Sequence, residues 1–229
     1  MDPSAHRFAN RTMVFRIDAG ALDADGATVL ADVAFLHREG VHPIVVAPTR
    51  DLARAFVGMM NRTANTAVGL SGRDAALLPA GASEAIGAVQ AGILYTLTAA
   101  GYIPVIEPTA LGLSGDDVEV VPDEIAAAIA AATDAARAIF FHNAGGVVDP
   151  DSAHIITELT ASEALALAAR DDLDADLRTA VRAAAHGVRS GVPAAQIVDG
   201  RIAHAAVMEL LTARHLGTQV TGAVYLAGS

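Results

Sequence analysis

GYIPVIEPTALGLSGDDVEVVPDEIAAAIAAATDAARAIFFHNAGGVVD, running from Gly101 to Asp149, decides the fold class. Tyr102 to Ile106 is an apolar run too short for a helix and bracketed by Gly101 and Pro108, which predicts a buried strand. A polar loop follows, and Val118, Val120 and Val121 suggest a short ribbon. Pro122, Asp123 and Glu124 then open an alanine-rich helix, because proline loses no useful N–H there and carboxylates meet the positive end of the helix dipole. Ala138 to Phe141 predicts the next strand, closed by Ala144-Gly145-Gly146. Strand, loop, helix and strand form a βαβ-type unit, and such units bind ligands at the carboxyl edge of the sheet. Asp123 is expected close to that edge.

Toward the amino terminus, Thr12 to Ile17 reads as a first strand that runs into the turn Asp18-Ala19-Gly20. Ala27 to Arg38 places Val29, Leu30, Val33 and Leu36 on one side of a helix ended by Gly40, and Pro43 to Ala47 follows as a second buried strand. That order implies a parallel pair with a right-handed crossover. Asp51 to Met60 predicts a helix and Thr66 to Leu70 a third strand. Ser83 and Glu84 introduce a predicted long helix reaching Ala100, with Ile86, Val89, Ile93, Leu94 and Leu97 as an apolar stripe and Ala88, Ala91 and Gly92 opposite. Such a helix is either central or a subunit interface. Toward the carboxyl terminus, Ile155 to Leu159 reads as a short strand, and Thr160 to Glu163 has the spacing of a capping box for a helix through about Ala169. Helices are expected over Asp176 to Val188 and Ile202 to Thr212, with strands over Ala194 to Val198 and Gln219 to Leu226. With no repeat, linker or boundary in the pattern, residues 1–229 are expected to form one domain.

Composition narrows the function classes. The 229 residues are 53% apolar and carry a net charge of −11, which argues against nucleic acid and anionic membranes, since both need basic patches. Cysteine is absent, which excludes a disulfide framework and a thiol nucleophile. No signal peptide or membrane-length apolar run is visible, so a soluble cytoplasmic protein is expected. Apart from histidine, every positive side chain is arginine, so no mechanism here can draw on a lysine ammonium group from this chain.

Several strings, in order, resemble the amino acid kinase family, and specifically its N-acetylglutamate kinases: VFRIDAGAL, HREGVHPIVVAP, AVGLSGRDAALL, GYIPVIEPTALG, PDEIAAAIAAATDAARAIFFHNAGGVVD, ITELTASEA and VPAAQIVDGRIAHAAVMELL with GTQV after it. The resemblance implies a three-layer α/β/α sandwich around a mainly parallel sheet. It also implies transfer of the γ-phosphate of ATP, with Mg²⁺, to a side-chain carboxylate. In that chemistry glycine turns admit the phosphates, lysines neutralise developing charge and an aspartate orients the lysines.

By the same resemblance, Arg16 stands where the family has the lysine of its first strand, with Asp18 and Ala19 in place of two glycines and Gly20 as a displaced remnant. Asp123 takes the place of the lysine-organising aspartate, and both residues become catalytic candidates. The alternative reading is a strand end with its turn and a helix-start carboxylate. Gly20, His142 and Asn143 are the nucleotide-side candidates, and Gly69 and Gly72 the substrate-side ones. The glycine run expected after the second strand is Ala47-Pro48-Thr49-Arg50, where proline removes a donor and close backbone approach is lost, so Arg50 reads as a solvated helix-start residue. Only one helix fits between Arg50 and Thr66, where the family has a longer substrate-gripping segment. Thr179 occupies the place of the second lysine. His186, His204 and His215 lack metal-ligand spacing, so no metal site is expected within the chain.

Losing one preorganised donor lowers a rate by about 10²–10³, and losing two lysines with both phosphate loops should forfeit roughly 10⁴ or more. The expectation is a degenerate, kinase-like protein engaged in metabolite binding, complex formation or specialised biosynthesis. Its partners would be a second copy, an active kinase homologue or a small acidic metabolite. The enzyme alternative is a divergent acyl amino acid kinase, using ATP and Mg²⁺, in which Arg16, Asp123 and a partner's residues replace the usual set.

Overall fold

The structure, a computed structural model, describes residues 8–21, 27–81, 86–149, 152–212 and 216–222. Strands β1 (Thr12–Ile17), β2 (His42–Val46), β3 (Ala67–Leu70), β4 (Ile103–Ile106), β7 (Arg137–His142), β8 (Glu158–Thr160), β9 (Ala194–Asp199) and β10 (Gly217–Thr221) build one sheet in the order β3-β4-β2-β1-β7-β9-β10-β8. All neighbours are parallel except β9 and β10. β5 (Thr109–Leu111) and β6 (Asp117–Glu119) form a separate antiparallel ribbon.

The period-two alternation of strand side chains separates the two faces. Along β1, Val14 faces one core, with Ile44, Val46 and Phe140, while Met13, Phe15 and Ile17 face the other, with Val45, Phe56 and Phe141. Phe15 and Phe141 stack there at 6.4 Å between ring centroids. The Val14 side is covered by α3 (Gly92–Ala99), α4 (Pro122–Ala132), α5 (Ala161–Ala168) and α6 (Ala175–Arg189). The Phe15 side is covered by α1 (Ala27–Arg38), α2 (Arg50–Ala64) and α7 (Ala205–Leu211). The result is the three-layer α/β/α fold, with a mainly parallel sheet, that the sequence leads one to expect. Arg16 and Asp18, in step with Val14, fall on the α4 side.

Local chemistry explains most boundaries. Thr49 starts α2 by accepting the Leu52 N–H at 3.2 Å, and Asn65 ends it in the left-handed conformation at φ 43°. Thr160 and Glu163 close a full capping box at the start of α5. α7 begins only at Ala205, because His204 sits at φ 59°, outside helical space. The largest correction concerns the long helix expected from Ser83. Ser83 and Glu84 lie outside the described residues, and the helix runs only over Gly92–Ala99. Upstream, Gly87 donates its N–H to Pro79 O at 2.8 Å and Gln90 to Leu77 O at 2.9 Å. These donors are spent on the Leu77–Pro79 segment, so no helical ladder forms there. The expected final strand ends at Thr221 in the described chain, and residues 223–229 lie outside it.

Candidate functional site

The central strands β1, β7 and β9 end together, and their last residues form a polar row on the α4 side. Arg16 is 8% exposed; Nη1 donates to Asp18 Oδ1 and Nη2 to Asp123 Oδ2, both at 3.0 Å. Its Nε–H is buried without a partner. Asp123, 5% exposed, is brought there because Pro122 starts α4 directly above the end of β1. Burial pushes the Asp123 carboxyl above its ordinary pKa; the Arg16 charge and hydrogen bond oppose this, and Asp18 adds to it. The cation beside Asp123 therefore does not recover the full cost of taking the carboxylate out of water.

The sequence-derived nucleotide-side residues lie next in the row. His142 ends β7, is 5% exposed, and its Nδ1 accepts the Ala144 N–H at 3.0 Å. The proton must then sit on Nε2, which is buried and has no acceptor. Gly20 donates its N–H to Asp18 Oδ2 at 3.1 Å, and a Cβ at Gly20 would stand 3.0 Å from Asn143 Nδ2. Gly20 and Asn143 are thus in contact beside the Arg16 cluster. Two further charged residues complete the row and carry no role in the sequence reading. Asp199 pairs with His142 across the sheet and is gripped by Arg201 through Nε at 2.9 Å and Nη2 at 2.7 Å. Arg201 holds the Asp199 carboxyl below its ordinary pKa. The Asp-Gly-Arg triplet at residues 199–201 was the available signal.

The substrate-side candidates stand elsewhere. β4 and β2 separate β3 from β1, so Gly69 is about 14 Å across the sheet from the Arg16 strand. Gly69 borders a cavity of about 210 Å³ with Ala53, Arg54, Val57 and Glu107. Gly72 lies against the Thr109 carbonyl and Ala110 Cα, too close for any Cβ, which makes it a packing glycine under the ribbon. Arg50, expected to be solvated, is ion-paired: Nε is 3.3 Å from Glu107 and Nη2 is 3.1 Å from Asp117. Thr179 lies within α6 and donates to Ala175 O. His186 borders a groove between α4 and α6, His204 meets Asp32 at 2.8 Å, and His215 is outside the described residues.

Chemically the row pairs its cations internally. Arg16 and Arg201 each have carboxylates of this chain on their guanidinium groups, and Asp18, Asp123 and Asp199 outnumber them. Among the described residues no group of three or more metal-capable side chains converges. No helix of the described chain is long and apolar enough to cross a membrane.

The sequence pattern of the amino acid kinase family matches residues 34–199. An acetylglutamate kinase of Symbiobacterium thermophilum is 29% identical over 95% of this chain and 94% of its own. That of Arthrobacter sp. is 30% identical over 95% and 89%. The Symbiobacterium alignment runs over 277 positions against a chain of 229 residues, so the relative has segments that this chain lacks. Among solved structures, N-acetylglutamate synthase from Neisseria gonorrhoeae, complexed with coenzyme A and N-acetyl-glutamate, superposes with a TM-score of 0.79 at 17% identity. The match covers 97% of this chain and 62% of that one. Carbamate kinase from Giardia lamblia bound to AMP-PNP gives 0.69 at 14% identity, over 94% and 99%. These structural likenesses concern the fold. On the sequence match, this chain belongs to the amino acid kinase family and is acetylglutamate kinase-like.

Proposed function

We propose that this chain is a degenerate member of its family, without efficient ATP-dependent phosphorylation of a carboxylate, that works through metabolite binding or assembly. The observation that carries the reading is Arg16: it stands where the family resemblance places a phosphate-binding lysine, yet it is buried between Asp18 and Asp123 at 3.0 Å each. Asp123 is where the resemblance puts an orienting aspartate, so the departure is Asp18, whose carboxylate lies on Arg16 Nη1 and would repel a triphosphate brought to that guanidinium. On this reading the end of β1 is a poor fit for the MgATP that the resemblance implies. In this reading Asp123 and Arg16 hold the end of β1 to the start of α4, and Gly20, His142 and Asn143 close the same edge.

The second reading, an active divergent acyl amino acid kinase, draws support from similarity to acetylglutamate kinases along nearly the whole chain. A coupled ADP-release assay with acetylglutamate, ATP and Mg²⁺ separates the two. The degenerate reading expects turnover at least about 10⁴-fold below the roughly 1–100 per second of ordinary kinases. Turnover within that ordinary range, abolished by Asp123→Asn, would establish the second reading instead.

A further inference from the structure

The ribbon β5–β6 is held over the ends of β3 and β4 by an ion-pair device unlike the buried row. Its inner strand is fixed by backbone: Leu111 donates to Leu78 O and Ala80 donates to Leu111 O, both at 2.8 Å. Its outer strand is held by two arginines from outside the ribbon. Asp117 presents one oxygen to each, Oδ2 to Arg50 at 3.1 Å and Oδ1 to Arg73 at 2.9 Å, and Arg73 also donates to Gly115 O at 3.0 Å. Two guanidinium groups converging on one carboxylate make a ready carboxylate-binding pair.

Three features make the occupant exchangeable. The side chains are half exposed, Arg50 at 43%, Arg73 at 48% and Asp117 at 36%, so each contact is weak and screened by salt. If Asp117 is displaced, its charge passes directly to water rather than into a core. The neighbouring cavity of about 210 Å³ shares Glu107 with the Arg50 contact, and a Cβ at its Gly69 border would meet only Val57, at 3.5 Å. The remainder of a small molecule has room on the Arg50 side, next to Glu107.

We propose that Arg50 and Arg73 form a carboxylate-binding site occupied by the ribbon's own Asp117, an autoinhibitory contact that a free small carboxylate displaces, releasing the ribbon. The ribbon tip, with Leu113 92% exposed and Gly115 in the left-handed conformation at φ 83°, is the part set free. The inference concerns binding alone and holds whether or not the chain turns over a substrate.

The test is calorimetric titration of the intact chain with succinate at constant ionic strength, alongside amide hydrogen exchange over residues 109–119. Asp117→Asn removes the carboxylate shared by both arginines, leaving Glu107 on Arg50 Nε, and should tighten succinate binding by about 3–10-fold, since it deletes two half-exposed pairs. Arg50→Gln and Arg73→Gln should each weaken it. In the unaltered protein succinate should speed exchange in the ribbon more than potassium chloride at the same ionic strength. Equal affinity in Asp117→Asn and the unaltered chain, no binding to either, or equal opening by potassium chloride would overturn the proposal. Inorganic phosphate binding as tightly as succinate would overturn the carboxylate assignment. The exchange measurement needs no variant, so it decides even if a substitution perturbs folding.

Discussion

Arg16 and Arg50 are both arginines held by two carboxylates, yet they sit in opposite dielectric surroundings. The Arg16 pairs have side chains 8–23% exposed, and the Arg50 and Arg73 pairs on Asp117 are 36–48% exposed. In the buried row Arg16 and Asp123 have largely lost their water, so removing one strands the other. At the ribbon, water replaces a lost partner at little cost. The same side chains therefore fasten the sheet's carboxyl edge in one place and form an exchangeable contact in the other.

Breaking the buried row should give the largest effect. Arg16→Met leaves Asp123 buried and uncompensated and should cost about 3–5 kcal/mol of unfolding free energy, measured by denaturant titration. The double replacement Arg16→Met with Asp123→Leu should recover most of that loss, because no buried charge is then stranded; Asp18 keeps its bond from the Gly20 N–H. A double variant as unstable as the single one would show that the cost does not come from a stranded Asp123 charge.

A smaller effect appears in the pH dependence. Asp123 titrates above its ordinary value of 3.8, so the folded state binds that proton more tightly than the unfolded chain. Its contribution is fully present below 3.8 and is lost as pH rises through the raised value. Asp199, lowered by Arg201, works in the opposite sense: its contribution is present above 3.8 and is lost as pH falls. Carboxyl-carbon titration by NMR should therefore place the Asp123 midpoint above that of Asp199. The reverse order would mean that Arg16 outweighs burial. The smallest effect belongs to the ribbon, where Asp117→Ala should cost no more than about 1 kcal/mol and less at high salt, by the same denaturant titration.

Much of this was legible in the sequence, for physical reasons that differ by element. β1 and α1 were readable at their observed ends, because Thr12 to Ile17 is apolar but for Thr12 and Arg16 and is closed by the Asp18-Ala19-Gly20 turn, and Ala27 to Arg38 keeps one apolar face. The helix expected from Ser83 failed because apolar spacing continues through Gly87 to Gln90 while their backbone donors bond the Leu77–Pro79 segment. Arg16 and Asp123 were recognisable from the motifs around them, but their mutual capture spans 107 residues of chain. Arg50 was misread as solvated for the same reason: its partners Glu107 and Asp117 lie far along the sequence and arrive only when β4 and the ribbon fold beside α2.

Whether the end of β1 still accepts a nucleotide is decided by equilibrium binding of MgATP to the purified chain. Calorimetry should detect no saturable binding up to about 1 mM nucleotide, the upper end of ordinary enzyme affinities, because Asp18 and Asp123 hold the two Nη groups of Arg16. Micromolar binding that Arg16→Gln abolishes would show that the arginine leaves its carboxylates for a phosphate, and would contradict the degenerate reading.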